Sequence, residues 1–324
     1  MKTEKALLTL AFFTTLAQLQ TAATLAQGWS IPAGQGPGQT ARFEKQTDEQ
    51  LISQAKQETK RNNAEGALQI CNIILKRNPK CTAAYVTKSK NLDFLNRDTD
   101  ALKCLDEGLK LLPKAPALYR EKGLILTAMN RNQEALEAFN KAIENHCREW
   151  DVYHQRSVVY GSLKMHARAI DDMSTYIKLQ PKRSRGFQWR AAAYAQSGQN
   201  DKAIQDLTTA IKMSPGKEGE FLLERAELYM KVKDYQKAVA DYEATLKTSP
   251  LDDTIWLKKG LALSKAGKLD QALKDFTECI ELNGSSTAYR ARADLLEKLG
   301  KQKEAAKDRA RALQLEKEKA VEKL

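Results

Sequence analysis

The chain has 324 residues, of which 42% are apolar and 29% charged, a balance that excludes an intrinsically disordered protein. The 53 Lys and Arg exceed the 41 Asp and Glu and give a net charge of +12, which permits anionic partners without requiring them. Five cysteines are too few to staple a chain of this length as a disulfide scaffold.

Residues 1–26 have the three-part pattern of a secretory signal peptide. Lys2 and Lys5 precede an apolar run from Ala6, and Thr24 and Ala26 place small residues at the two specificity positions of a signal-peptidase site. The apolar run is short for a membrane span. We therefore expect export to a bacterial periplasm or to the medium, with an uncleaved N-terminal anchor as the alternative.

Residues 27–47 are predicted to be a flexible linker rich in Gly, Pro and Gln. The stretch 27–40 alone holds four Gly and two Pro, which favour an extended, irregular chain.

From residue 48 the chain repeats with a period of about 34 residues. One ladder of alanines runs through Ala67, Ala101, Ala135, Ala169, Ala203, Ala238, Ala272 and Ala305. A second ladder holds small residues at Ala55, Ser89, Gly123, Ser157, Ala191, Ala226, Gly260 and Ala293. Similarity at a fixed period predicts a solenoid, in which stacked units bury a common core that no unit buries alone.

Within each repeat the spacing predicts two helices. Trp256, Gly260 and Leu263 share one helical face, and Ala272 and Phe276 begin the same spacing on the next helix. One position separates the two helices of each repeat, and six of its eight residues are Gly or Asn, which tolerate a left-handed turn. The eight are Asn62, Asn96, Asn130, Lys164, Gly198, Lys233, Gly267 and Gly300. Proline follows the second helix in most repeats and prevents its continuation.

This pattern resembles that of tetratricopeptide repeat proteins, most closely at Arg190-Ala191, Tyr194, Gly198 and Ala203. The resemblance implies an all-α, right-handed α-solenoid of about eight helix-turn-helix repeats. Their approximate bounds are 48–81, 82–115, 116–149, 150–183, 184–218, 219–252, 253–285 and 286–319. Residues 301–324 are predicted to include a charged helix that caps the solenoid.

The resemblance also implies that the first helices of the repeats line a concave groove that binds a protein or peptide. We expect its wall one residue beyond the core ladder, at Lys56, Lys90, Asp93, Arg120, Leu124, His154, Gln188, Glu220, Glu227, Leu257, Leu261, Arg290 and Asp294. Some family members clamp a C-terminal carboxylate with Lys and Asn, but here no Asn accompanies Lys56 and Lys90 on that wall.

A correlated pair of charges recurs between the two helices of the later repeats. An Arg on the first helix is followed sixteen residues later by an Asp on the second, and we interpret the two as a structural ion pair. The pairs are Arg156 with Asp172, Arg190 with Asp206, Arg225 with Asp241 and Arg292 with Asp308, and Lys259 with Asp275 is the variant. A charged row that binds a ligand is the alternative.

Residues for catalysis are few. His146, His154 and His166 lie near Cys147, but their spacing matches no structural zinc site, so we expect no metal and no cofactor. No nucleophile triad, phosphate loop or CxxC motif is present. We therefore expect no enzyme, no small-molecule substrate and no nucleic-acid partner, and we favour five cysteines without a disulfide.

Together these features predict an exported, non-enzymatic scaffold that mediates protein–protein interaction through its groove. The alternative is a membrane-anchored accessory subunit of a cell-envelope assembly or secretion complex. Contact with a membrane is expected only if the N-terminal segment stays uncleaved. A metal-dependent enzyme built on the histidines is a distant third.

Overall fold

The computed structural model describes residues 45–147 and 149–321, so the predicted signal peptide and nearly all of the predicted linker lie outside it. The described residues form sixteen α-helices and contain no β-strand. The helices are α1 Asp48–Lys60, α2 Ala64–Arg77, α3 Thr82–Phe94, α4 Asp98–Leu111, α5 Pro116–Ala128, α6 Asn132–Glu144, α7 Asp151–Ser162, α8 His166–Leu179, α9 Ser184–Gln196, α10 Asn200–Met213, α11 Gly219–Lys231, α12 Tyr235–Thr248, α13 Asp253–Lys265, α14 Leu269–Asn283, α15 Ser286–Lys298 and α16 Gln302–Val321. The predicted all-α repeat fold is confirmed.

Odd-numbered helices are the first helices of their repeats and even-numbered helices the second. The chain forms two compact units, one ending at Cys104 and the next beginning at Leu105. In the first unit, Leu51, Cys71 and Ile74 belong to one fully buried core cluster. In the second unit, buried clusters lie between successive pairs of helices, as α11 to α15 illustrate. Among the described residues, no helix is long and apolar enough to span a membrane.

Small residues let the two helices of a repeat approach closely. Every member of the alanine ladder is at most 3% exposed. A Cβ atom added at Gly123 would lie 2.7 Å from the ring of Phe139, and one added at Gly260 would lie 2.6 Å from the ring of Phe276. Each ring therefore packs on a bare backbone, which explains why small and large residues alternate between the two helices.

The turns between the paired helices have the predicted conformation. All eight predicted turn residues have φ between 57° and 80°, including Lys164 and Lys233, which are neither Gly nor Asn. Bonds such as that from the Gln199 amide to the Tyr194 carbonyl, 2.9 Å, close the first helix. Second helices such as α10 end two residues before a proline, here Pro215, as the missing amide donor requires.

Candidate partner-binding surface

The Arg–Asp pairs fix the first helices against the second helices. Arg190 donates from Nε and Nη2 to the two carboxylate oxygens of Asp206 at 2.7 and 2.8 Å. The pairs led by Arg156, Arg225 and Arg292 have the same bidentate geometry, at 2.6 to 2.9 Å. Side-chain exposure of about one fifth or less for each arginine shields these bonds from water.

Each of these arginines also reaches the second helix of the preceding repeat. Nη1 of Arg190 donates to Ser174 Oγ at 3.2 Å, and Nη1 of Arg225 donates to Thr208 Oγ1 at 2.9 Å. The Arg–Asp spacing does not predict this third partner, although Asn140, Ser174, Thr208 and Thr277 recur at equivalent places. One guanidinium therefore joins three helices and fixes the orientation of the first-helix faces that a partner would contact.

The pair of Lys259 with Asp275 has a different geometry. Lys259 reaches only Oδ1 of Asp275, at 3.1 Å. The other oxygen, Oδ2, is buried without a hydrogen-bond partner among the described residues. Burial raises the pKa of Asp275 above its ordinary value, and the contact with Lys259 offsets only part of that effect.

In the first unit, the predicted groove residues Lys56, Lys90 and Asp93 are exposed. Lys56 borders a cavity of about 290 Å³ that Ile52 and Cys81 also line. Partial desolvation, together with the neighbouring carboxyl of Asp98, raises the pKa of Asp93.

In the second unit, Arg120 is held by acidic groups of the same unit. Its Nε lies 2.9 Å from Glu149 Oε2, its Nη2 bonds to Asp151, and its side chain is 14% exposed. These contacts raise the pKa of Arg120 although burial opposes them. Arg120 thus links α5 to the start of α7, and its place in a partner-binding groove stays a prediction.

Gln188 is also buried, at 5% exposure. Its amide donates to Glu220 Oε1 at 2.9 Å and to Glu224 Oε1 at 2.6 Å, which links α9 to α11. The bond from Gln188 lowers the pKa of Glu220, whereas burial raises the pKa of Glu224. Arg185 donates to Glu220 as well, at 2.9 Å.

The remaining predicted residues lie on the first helices of the later repeats. The charged ones take part in ion pairs: Glu227 with Lys258, Arg290 with Glu316 at 2.7 Å and Asp294 with Arg309 at 3.2 Å. Among the leucines, Leu124 and Leu257 are half-buried and Leu261 is 39% exposed.

A cavity of about 480 Å³ lies between α7 and α9. We call it the α7–α9 cavity; its lining includes His154, Val158, Gly161, Trp189, Ala192 and Gln196. The imidazole of His154 stacks on the indole of Trp189 with centroids 3.6 Å apart. Burial lowers the pKa of His154 and so favours its neutral form.

Buried aromatic residues pack against the stacked pair of His154 and Trp189. Tyr176 is fully buried and contacts both Trp189 and Trp150 edge-on, with centroids 5.4 Å apart in each case. The guanidinium of Arg183 lies 4.2 Å from the centre of the Trp150 ring. Packing on a buried core holds the stacked pair in place at the cavity rim.

Of the residues that line this cavity, only His154 is among the predicted groove residues. The sequence marks this cavity by a departure from the repeat. Trp189 stands where the other repeats have Ser53, Thr87, Glu121, Gln155, Glu224, Lys258 and Ala291. Val158 and Ala192 stand where four other repeats have the charged Lys56, Lys90, Glu227 and Asp294 and where two have Leu124 and Leu261. The tryptophan, and not a loss of charge, therefore distinguishes this place from the other repeats.

The histidines near Cys147 are not gathered into a site. His146 has φ of 61° in the turn after α6, His154 stacks on Trp189, and His166 begins α8. Across the described ranges, no group of three or more His, Cys, Asp or Glu is arranged to hold a metal ion. All five cysteines are free thiols, with three of them buried.

The repeats match the family model for the tetratricopeptide repeat at residues 92–146, 190–253, 223–278 and 257–318, more than half of the sequence. The chain belongs to the tetratricopeptide repeat family. Its fold is that of a scaffold class that generally mediates protein–protein interaction.

Parts of this chain are similar to proteins of known sequence or structure. Human Superkiller complex protein 3 is 38% identical over 85 residues, which span 26% of this chain and 5% of that protein. The structure of Naa15/Naa10 bound to HypK-THB aligns with a TM-score of 0.50 and 20% identity, covering 77% of this chain and 39% of that chain. A tetratricopeptide repeat protein from Parabacteroides merdae aligns at 0.48 with 17% identity, covering 83% and 93%. These structural likenesses concern the fold alone.

Proposed function

We propose that this protein is an exported scaffold that binds a segment of a partner protein on the first-helix face of its second unit, at the α7–α9 cavity. The family generally binds proteins, and the structure of Naa15/Naa10 bound to HypK-THB is an assembly of this kind. The scaffold contributes a preformed surface, so binding requires little ordering of the chain.

The observation that carries this proposal is the α7–α9 cavity itself. Gly161 and Ala192 leave open space where side chains of other repeats project, and Val158 is 45% exposed beside it. An open pocket bounded by apolar groups and a rigid aromatic pair is the kind of place in which interface anchors are buried.

Export is supported by residues 1–26 and carries its own test. Sequencing the N-terminus of the protein from the producing cell should give Gln27 as the first residue. An intact N-terminus on protein recovered with membranes would instead favour the anchored accessory subunit.

Photo-crosslinking in the producing cell tests the binding surface. We would place benzoylphenylalanine at Val158 and, as a matched control, at Ala240, which is exposed on the second helix α12 of the same unit. A discrete crosslinked protein at position 158 and none at position 240 is expected. Crosslinks at position 240 alone, or equal patterns at both, would contradict the proposal.

A further inference from the structure

We infer that the partner segment is basic: it inserts one apolar side chain into the α7–α9 cavity and places a Lys or Arg from the next turn against Glu224. This rests on the proposed function and adds the chemistry of the partner. Two features of the second unit support it. The lining of the cavity is uncharged, and one of the three glutamates on α11 has no ion pair among the described residues.

The cavity suits an aliphatic side chain. The residues that line it carry no carboxylate, ammonium or guanidinium group. Small residues such as Gly161, Ala192 and Ala193 belong to the lining, together with the neutral polar Ser157, Ser162 and Gln196. Its volume of about 480 Å³ accommodates a Leu, Ile or Met side chain together with part of the backbone that carries it. The apolar body of the anchor would pack on Val158 and on the face of Trp189.

The neighbouring helix α11 presents three glutamates, and two of them already have a cation. Glu220 bonds to Arg185 at 2.9 Å, and Glu227 bonds to Lys258. Glu224 has the neutral amide of Gln188 at 2.6 Å, and no ion pair of Glu224 occurs among the described residues. Burial raises the pKa of Glu224, and the bond from Gln188 and the nearby charge of Arg185 only partly oppose that rise, so a contacting cation would stabilise the carboxylate.

The geometry sets the spacing within the partner. Gln188, which bonds to Glu224, precedes Ala192 of the cavity wall by one helical turn on α9. Side chains one turn apart are about 5–6 Å apart at Cβ. The anchor and the cation therefore belong to one short segment of the partner, and the form we test is a helical segment with the two residues three or four apart.

The local charge overrides the net charge of the chain. A net charge of +12 would favour an acidic partner at long range. At this place, however, an incoming carboxylate would face Glu224 with Glu220 and Glu227 on either side of it along α11. Like charges brought together during desolvation exclude a partner, so an acidic segment should be rejected here.

The test is selection of peptides on the full chain. A phage-displayed library of random 16-residue peptides is panned, and enriched sequences are synthesised with a fluorescent label for anisotropy titrations. We expect an aliphatic residue with Lys or Arg three or four positions away. Ala192→Trp, which fills the cavity from an exposed position, should weaken binding more than tenfold, and Glu224→Gln should weaken it about five- to tenfold.

A double-mutant cycle then assigns the cation. Replacing the peptide's Lys or Arg by Gln should cost as much as Glu224→Gln, and both changes together should cost no more than either. Controls are Ala240→Trp and Glu137→Gln, exposed on the second helices α12 and α6, and neither should alter affinity.

The two proposals fail in different ways. Peptides that lose binding with Ala192→Trp but are neutral or acidic and insensitive to Glu224→Gln overturn the basic partner and leave the proposed function standing. Peptides insensitive to Ala192→Trp, or no enriched peptide at all, overturn both.

Discussion

Replacing Lys259 by Arg should stabilise the second unit. In four of the five charge pairs an arginine bonds both carboxylate oxygens, whereas Lys259 bonds only Oδ1 of Asp275 and leaves Oδ2 buried and unpartnered. Arginine offers two parallel donors from a planar group, and lysine a single point charge. The substitution supplies the missing donor, and the four Arg–Asp pairs show that an arginine fits at the equivalent position of other repeats.

The magnitude follows from the surroundings of the pair. A hydrogen bond to a charged group contributes about 1.5–3 kcal/mol, and ordering the longer guanidinium offsets part of that. Glu243 stands where the other repeats place the Nη1 partners, such as Thr208 and Thr277, so the new guanidinium also gains an acidic neighbour. Lys259 lies 4.4 Å from the centre of the Trp256 ring, a contact that arginine retains. We expect a net gain of about 1 kcal/mol.

Calorimetric melting of the full chain measures the effect. A gain of about 1 kcal/mol corresponds to a rise of about 2–4 °C in the melting temperature of a unit of this size. The reverse change, Arg225→Lys, should lower it by a similar amount. Lys122→Arg is the control, because its partner Asp106 is half exposed and an exposed pair contributes little. A melting temperature of Lys259→Arg equal to or below that of the parent would refute the reasoning.

Three further outcomes are expected. Burial lowers the pKa of His154, so the unfolded chain binds more protons than the folded chain as pH falls through the ordinary value of 6.5. The free energy of unfolding should therefore decrease as pH falls through that range. Urea titrations at several pH values should show that His154→Phe flattens this dependence. Iodoacetamide at about pH 8 should label the half-buried Cys81 and Cys147 far faster than the three buried thiols, and all five in denaturant, as mass spectrometry would show. Lys233→Gly should raise the free energy of unfolding by about 0.5–1 kcal/mol, because Lys233 has φ of 64° and glycine adopts that conformation without steric cost. A destabilised glycine variant would contradict this reading of the turn.

The repeat fold was predictable because each structural requirement recurs eight times in the sequence. A single alanine is weak evidence, but eight at one period identify a position where paired helices pack together, and an exposure of at most 3% shows why no larger side chain occurs there. The turn residues were predictable for the same reason. Even Lys164 and Lys233, which are neither Gly nor Asn, adopt the left-handed conformation because the turn between the two helices of the repeat requires it.

The candidate site was less predictable, because helical spacing tells which face a residue occupies and not what its neighbours do. Arg120 and Gln188 have the spacing of groove residues, yet the structure uses both internally, one for Asp151 and Glu149 and the other for Glu220 and Glu224. Those contacts join residues about one repeat apart, so they depend on how adjacent repeats stack. A periodic pattern cannot contain that information, since the contact partners differ from repeat to repeat.

Departures from the repeat are where we expect this chain to gain specificity for a partner. A residue that satisfies the repeat is explained by packing, and the same residue would be expected in any protein of this family. Trp189 is not needed for the repeat, since seven other residues stand in its place without disturbing the fold. Its indole nonetheless packs on His154 and on the buried Tyr176, beside open space instead of a filled core. A large aromatic side chain held rigid next to an unfilled cavity exposes apolar surface that folding alone leaves uncovered, and a partner's side chain would cover it.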